Sequence, residues 1–280
     1  MTKALINKII DYSVVDGPGN RTVIFFQGCN LNCHYCHNPE TINKCNNCGL
    51  CVETCPTTAL KLINGIVTYD QQLCCNCDTC LKTCQNNSSP KTSLMDVNTV
   101  LTHIKGNLPF IRGITLSGGE CTLNAEFIKE LFGLTKSLNL SNLLDSNGTY
   151  DFEKDPAILD NCDGVMLDIK AFKPSDHLKI TDHQNDLIIK NAIYLAKLGK
   201  LTEIRTVVIP NDLDNISTVT EISKLLEPYQ KINSIKYKLI KYRPFGVRIS
   251  YQTFKQPDDN LMNQLAQLAK TNGFEDITII

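Results

Sequence analysis

Cys29, Cys33 and Cys36 stand at spacings of four and three, directly after the apolar run Val23-Ile24-Phe25-Phe26 and the pair Gln27-Gly28. That order puts three thiols on one short loop at the end of a strand. Cysteine thiolates are the usual holders of iron–sulfur clusters, and a cubane normally takes four of them. A loop with three leaves one iron without a protein ligand, open to a small molecule that binds through an amine and a carboxylate. The same logic separates closed structural metal sites from catalytic sites with an open position. A bare CxxxCxxC also admits a zinc knuckle or a cluster of reduced, buried thiols.

Eight further cysteines form two matched runs. Cys45, Cys48, Cys51 and Cys55-Pro56 follow the CxxCxxCxxxCP rule of bacterial ferredoxins, and Cys74, Cys77, Cys80 and Cys84 repeat the spacing twenty-nine residues later. In two-cluster ferredoxins the fourth cysteine of each run serves the other cluster. By that rule Cys45, Cys48, Cys51 and Cys84 hold one [4Fe–4S] cluster, and Cys74, Cys77, Cys80 and Cys55 hold a second. The second run ends Cys84-Gln85, which removes a turn-fixing proline but no ligand. Cys75 falls outside the register and reads as a spare thiol, with a swap of ligand between neighbours left open, while Cys121 and Cys162 read as small buried apolar residues.

A chain of 280 residues suffices for one large core with an insertion, and its 42% apolar and 20% charged residues are ordinary for a globular chain. No run approaches eighteen apolar residues and no signal-peptide core opens the sequence, so a cytoplasmic protein without membrane spans is expected. Fourteen cysteines in that setting argue for metal rather than disulfides, and for oxygen sensitivity. A net charge of −1 gives no field to gather nucleic acid. The late group Lys236, Lys238, Lys241, Arg243 and Arg248 reads as a solvated or phosphate-facing strand.

The elements that must carry these residues follow from periodicity. Ile6 to Ser13 reads as a first strand, followed by the tight turn Asp16-Gly17-Pro18-Gly19. Between the cysteine runs, 59–62 and 66–69 flank Asn64-Gly65 as a hairpin. From about residue 94, helical and strand patterns alternate: helices over 95–105, 124–137, 152–160, 185–199, 216–228 and 259–271, and strands over 113–116, 140–144, 164–167, 201–209, 235–241 and 276–280. Such alternation predicts a parallel sheet of βα units. Six or seven steps, counted from Val23, fall short of the eight of a closed barrel and leave a wide mouth at the strands' C-terminal ends. The polar strings Ser117-Gly118-Gly119-Glu120, Asp145-Ser146-Asn147-Gly148 and Asp168-Ile169-Lys170 all fall at such ends. Met166 and Asp168, two apart on one strand, project to the same side.

CxxxCxxC after a strand resembles the radical S-adenosylmethionine (SAM) superfamily. The longer string from Asp16-Gly17-Pro18-Gly19-Asn20-Arg21 through Phe26-Gln27-Gly28-Cys29 to Tyr35-Cys36-His37-Asn38-Pro39 is similar to the activating enzymes of glycyl radical enzymes. The likeness runs from about residue 5 to 245. It implies an α/β fold: a partial (β/α)6-type TIM barrel of the radical SAM class over 1–40 and 94–280, with a two-cluster, bacterial-ferredoxin-like domain inserted at 41–93. The implied cofactors are SAM, three [4Fe–4S] clusters and a monovalent cation (Na+ or K+). The implied chemistry is reductive cleavage of SAM to a 5′-deoxyadenosyl radical, which abstracts a glycine Cα hydrogen from a partner enzyme.

The resemblance also distributes roles. Asp16 would lie beside the substrate opening, and Gly118, Gly119 and Glu120 at the methionine amine. Tyr35 and His37, flanking Cys36, would lie near adenine; Asp145, Ser146, Met166 and Asp168 would hold the cation. Lys170 would meet SAM or partner charges, and Arg205 suits the SAM carboxylate because a guanidinium recognises carboxylates bidentately. Arg243 stands where relatives carry histidine, so it either contacts adenosine or that contact is lost. The expected partners are a glycyl radical enzyme and a reduced ferredoxin or flavodoxin, with the chain acting as a monomer. The alternatives are a radical SAM enzyme for a small molecule, a non-enzymatic multi-cluster electron carrier, and a zinc protein.

Overall fold

The structure, a computed structural model, describes residues 2–280. Its centre is a nine-stranded sheet. In chain order the elements are β1 (Lys3–Ser13), β2 (Arg21–Phe26), α1 (Leu50–Glu53), β3 (Leu60–Ile63), β4 (Ile66–Tyr69), α2 (Thr79–Thr83), β5 (Ser93–Asp96), α3 (Val97–Asn107), β6 (Gly113–Gly118), α4 (Ala125–Lys136), β7 (Ser141–Ser146), β8 (Gly164–Asp168), α5 (Pro174–Thr181), α6 (Asp186–Lys197), β9 (Leu201–Val208), α7 (Asn215–Leu226), β10 (Lys236–Lys241), α8 (Asp259–Thr271) and β11 (Ile277–Ile279). The sheet runs β11-β10-β9-β8-β7-β6-β2-β1-β5 and does not close on itself. From β2 to β11 every pairing is parallel, while β1 pairs antiparallel with both β2 and β5.

Parallel strands covered by crossover helices read as nearly continuous apolar runs. Val165 and Leu167 on β8, and Ile114 and Leu116 on β6, are wholly buried accordingly. The helices contribute one face each: Phe127, Ile128, Leu131 and Phe132 of α4 recur at helical spacing and enter the core, with Phe127 edge-on to Phe26 at 5.6 Å. Burying each such side chain stabilises by roughly 1.5–3 kcal/mol.

Two expected helices differ in the structure, and one helix is additional. The helix read as starting at Met95 begins at Val97, because 93–96 pair with β1 and Asp96 caps the helix by accepting from Thr99 N at 2.8 Å. Only a 3-10 turn, Pro156–Leu159, forms within 152–160. Helix α5 was not foreseen at all; Pro174 starts it and Asp182, at φ 63°, ends it.

Residues between β2 and β5 leave the sheet and return to it at one place. Asn43 and Ser88 bridge in parallel, Asn43 Nδ2 donates to Asn86 O at 2.9 Å, and Ser89 N donates to Glu40 O at 2.8 Å. The excursion has its own small core of Cys51, Leu60 and Cys80, backed by Val52, Val67, Tyr69 and Leu81, under the β3–β4 hairpin.

Candidate active site

The loop after β2 owes its shape to backbone contacts from several directions. Gly28 N and Cys29 N donate to Thr41 O and Ile42 O at 2.8 and 2.9 Å, and Asn32 N and His34 N donate to the end of α5 at Thr181 O and Ile180 O. Arg248 clasps it from the far side: Nη1 reaches Asn32 Oδ1 at 2.6 Å, and Nη2 reaches Asn32 O and Cys33 O at 3.1 and 2.9 Å. Its guanidinium lies 4.8 Å from the Tyr251 ring centre, and Tyr251 stacks on His34 at 4.1 Å. Sequence reasoning placed Arg248 in a solvated or phosphate-facing strand and missed this role; only its fold-dependent position reveals it. Of that basic group, Lys238 pairs with Glu203 at 2.9 Å and Lys241 with Asp259.

Cys29, Cys33 and Cys36 then line one wall of a cleft of about 1110 Å³, counted to its open mouth, at the C-terminal ends of the strands. Asp16, Tyr35, His37, Gly118, Gly119, Asp145, Ser146, Asp168, Lys170 and Arg205 line the same cleft. Burial pushes the Cys29 and Cys33 thiols up to about 12 and Cys36 up to about 11. Such thiols keep their protons until a metal displaces them. Asn147 Nδ2 lies 3.7 Å from Cys29 Sγ and 3.0 Å from Asn30 Oδ1; the sequence placed Asn147 at a strand end but assigned it no role.

Register aligns the charged residues into rungs: Asp145 lies opposite Met166, and Asp168 opposite Arg205. Arg205 Nη1 donates to Asp145 Oδ1 at 2.9 Å, Nη2 approaches Met166 Sδ at 3.1 Å, and Nε donates to Glu203 Oε1 at 2.5 Å. Ser117 Oγ donates to Asp145 Oδ2 at 2.9 Å. Burial raises Asp145, and the guanidinium opposes that rise. Lys170 is ion-paired with Asp168 and lies 5.8 Å from the Tyr35 ring centre; burial would lower it, but Asp168 leads the groups that hold it well above its usual value. The four side chains expected around a cation are thus engaged elsewhere, Asp145 and Met166 with Arg205, Asp168 with Lys170, and Ser146 Oγ with Glu120 Oε1 at 2.9 Å.

Two residues expected to touch SAM do not line the cleft. The Glu120 carboxylate is fully buried and accepts from Thr122 N, Thr122 Oγ1, Ser146 Oγ and Asn147 N at 3.1, 2.6, 2.9 and 2.7 Å. It braces two strand-end loops against each other. Arg243 is exposed, and the bond it makes toward the site is through its backbone carbonyl, to His37 Nε2 at 3.1 Å. Gly119 lines the cleft but also touches the neighbouring backbone. A Cβ there would sit 2.2 Å from Gly28 O, so a side chain would push the cysteine loop away.

The two ferredoxin-like runs repeat in conformation as well as spacing. Asn47 and Asn76 are both left-handed, at φ 61° and 55°, and each N–H points at the sulfur of Cys45 or Cys74 at 3.4 Å. Gly49 and Asp78, also at positive φ, start α1 and α2. Cys45, Cys48, Cys51 and Cys84 line one small cavity, and Cys55, Cys74, Cys77 and Cys80, with Cys75, line another. Among the described residues no three His, Cys, Asp or Glu side chains converge as ligands of a single ion would. A cubane takes one thiolate at each iron corner, so thiols ringing a space suit it.

A family model described as the Radical SAM superfamily matches residues 23–221. This chain belongs to the radical SAM superfamily. It is an enzyme family whose members use SAM and a [4Fe–4S] cluster, and the cleft fits both: it is lined by three half-buried thiols, by cationic and anionic side chains, and by Tyr35, whose buried hydroxyl has no hydrogen-bond partner among the described residues. The chain is 28% identical to the pyruvate formate-lyase-activating enzyme of Streptococcus mutans, over 97% of this chain and 93% of that one. It is 29% identical to the (2S)-3-sulfopropanediol dehydratase activating enzyme of Klebsiella oxytoca, over 95% and 93%. Streptococcus suis SuiB bound to its precursor peptide SuiA shares the fold at a TM-score of 0.60 and 13% identity, over 92% of this chain and 48% of SuiB. Among the described residues no helix is long and apolar enough to cross a membrane.

Proposed function

We propose that this enzyme activates a glycyl radical enzyme, taking a hydrogen from a glycine Cα in a loop of that partner. The observation that carries the reading is that the Asp16 loop and the three-cysteine loop line one open-mouthed cleft, in a chain whose relatives with activating-enzyme names align over nearly its whole length. When bound, the cluster and SAM supply one electron and a 5′-deoxyadenosyl radical, so the chemistry asks no side chain for acid or base work.

What the chain contributes is positioning. Cys29, Cys33 and Cys36 would hold the catalytic cluster. Arg205 would take the SAM carboxylate, drawn from Asp145, and a monovalent cation would then balance Asp145 and Asp168. Tyr35 would offer its free hydroxyl, and Lys170 would keep the Asp168 side of the cleft charged and ordered. Asp16 is fixed at the mouth: Ser13 Oγ donates to its carboxylate at 2.5 Å, and Thr115 Oγ1 donates to its carbonyl at 2.6 Å. Arg21, wholly buried, holds the same turn through Pro18 O at 3.2 Å.

The segment 41–93 is proposed as a separate unit holding two [4Fe–4S] clusters, one on Cys45, Cys48, Cys51 and Cys84 and one on Cys55, Cys74, Cys77 and Cys80. It would accept electrons from a reduced ferredoxin or flavodoxin, with the chain acting as a cytoplasmic monomer. The test is anaerobic incubation of the loaded, reduced chain with SAM and glycyl radical enzyme candidates from the same genome. A glycine-centred doublet in the electron paramagnetic resonance spectrum is expected with one of them and not with its Gly→Ala variant. Absence of the doublet with every candidate would end the activase reading.

A further inference from the structure

The two cysteine cavities of the 41–93 segment share spacing and backbone conformation but not surroundings. The Cys45, Cys48, Cys51, Cys84 cavity is otherwise walled by Asn46, Gly49, Leu50, Val67, Ser88 and Pro90, none of them charged. The Cys55, Cys74, Cys77, Cys80 cavity includes Lys91 and Tyr69 in its wall. The Lys91 side chain is 17% exposed, and its Nζ is fixed 2.6 Å from Asp78 Oδ1, whose own side chain is 55% exposed. The ammonium is therefore the inner member of the pair and the carboxylate the outer one.

Iron–sulfur potentials respond to net charge, to hydrogen bonds at sulfur and to solvent. Each reduction adds a negative charge, which a nearby fixed cation favours. Between two cubanes matched in ligands, the charged wall decides which holds the electron. We propose that Lys91 raises the reduction potential of the cluster on Cys55, Cys74, Cys77 and Cys80 above that of its partner, so that an electron entering the segment rests on the Lys91 side. The inference rests on the two-cluster reading of 41–93. Lys91 acts as a positioning residue through the sulfur ligands, not on SAM or on the partner's glycine. Its other surroundings are weaker: Tyr69 is neutral, and Lys8, Glu40 and His103 lie further along the polar cleft that Lys91 also lines.

The test is a dithionite titration of the loaded full-length chain, followed by electron paramagnetic resonance, with iron content measured on the same sample. Lys91→Met should lower the potential of one segment signal by at least about 59 mV, a tenfold fall in its reduced-to-oxidised ratio at a given one-electron poise. The other segment signal and the SAM-responsive signal should stay in place. Lys91→Arg should keep the wild-type value. Asp78→Asn should move the same signal upward, which covers the case in which Lys91→Met fails to load. About twelve irons per wild-type chain with no such selective shift in either variant would overturn the inference alone. About four irons per chain would remove the segment clusters and the inference with them.

Discussion

Replacing Glu120 by glutamine separates two accounts of a residue that sequence assigns to the cofactor and structure assigns to the scaffold. Oε1 accepts from Thr122 N, Thr122 Oγ1 and Ser146 Oγ, while Oε2 accepts from Asn147 N at 2.7 Å. In Glu120→Gln the amide oxygen can keep the first three, but the NH2 must then face the Asn147 N–H, donor against donor. Losing one hydrogen bond to a charged acceptor and leaving a buried donor unpaired costs about 3 kcal/mol. For a domain of this size that lowers the melting temperature by roughly 6–12 °C. The assay is a thermal melt of the anaerobic, loaded protein, read beside the KM for SAM. A melting temperature within about 1 °C of wild type, together with a tenfold rise in KM, would refute the bracing role and restore the direct contact that sequence suggested.

Two further outcomes follow from the same geometry. Gly119→Ala should abolish retention of iron at the cleft while sparing the cysteines of 41–93, since its Cβ would meet Gly28 O at 2.2 Å and Thr41 O at 2.8 Å; iron content falling by about one third is the readout. His177 is wholly buried, with its Nδ1 on His183 O at 2.7 Å, and burial holds its pKa below the usual value near 6.5. The unfolded chain therefore binds more protons than the folded one between those two values. Stability contributed there is present above about pH 6.5 and lost on acidification, by up to about 1.4 kcal/mol per pH unit. Melts between about pH 7.5 and 5.5 should show that slope, and His177→Gln should flatten it.

The strand-end strings and the cysteine loop were legible because strong local rules govern them: apolar runs bounded by glycine and polar residues mark strands, and ligand spacing is short-range. The placement of Cys84 beside Cys45, Cys48 and Cys51, and of Cys55 beside Cys74, Cys77 and Cys80, follows the order that the repeat suggests. What escaped depended on long-range pairing. Arg248 reaches Asn32 across 216 residues, Glu120 joins loops 26 and 27 residues apart, and neither leaves a local pattern. Met95 and Asp96 read as the start of a helix until β1 supplies them a partner. Arg243 was judged by position within a motif, and the backbone turned its side chain to solvent while its carbonyl met His37.

The central claim is that Cys29, Cys33 and Cys36 hold a cluster open to SAM. The direct measurement is the formation of 5′-deoxyadenosine and methionine by the reduced, loaded chain, for wild type and for Cys33→Ala. Equal amounts of both products from wild type are predicted, with none from the variant although it keeps the iron of the 41–93 segment. Cleavage by Cys33→Ala at the wild-type rate, or none by fully loaded wild type, would contradict the account.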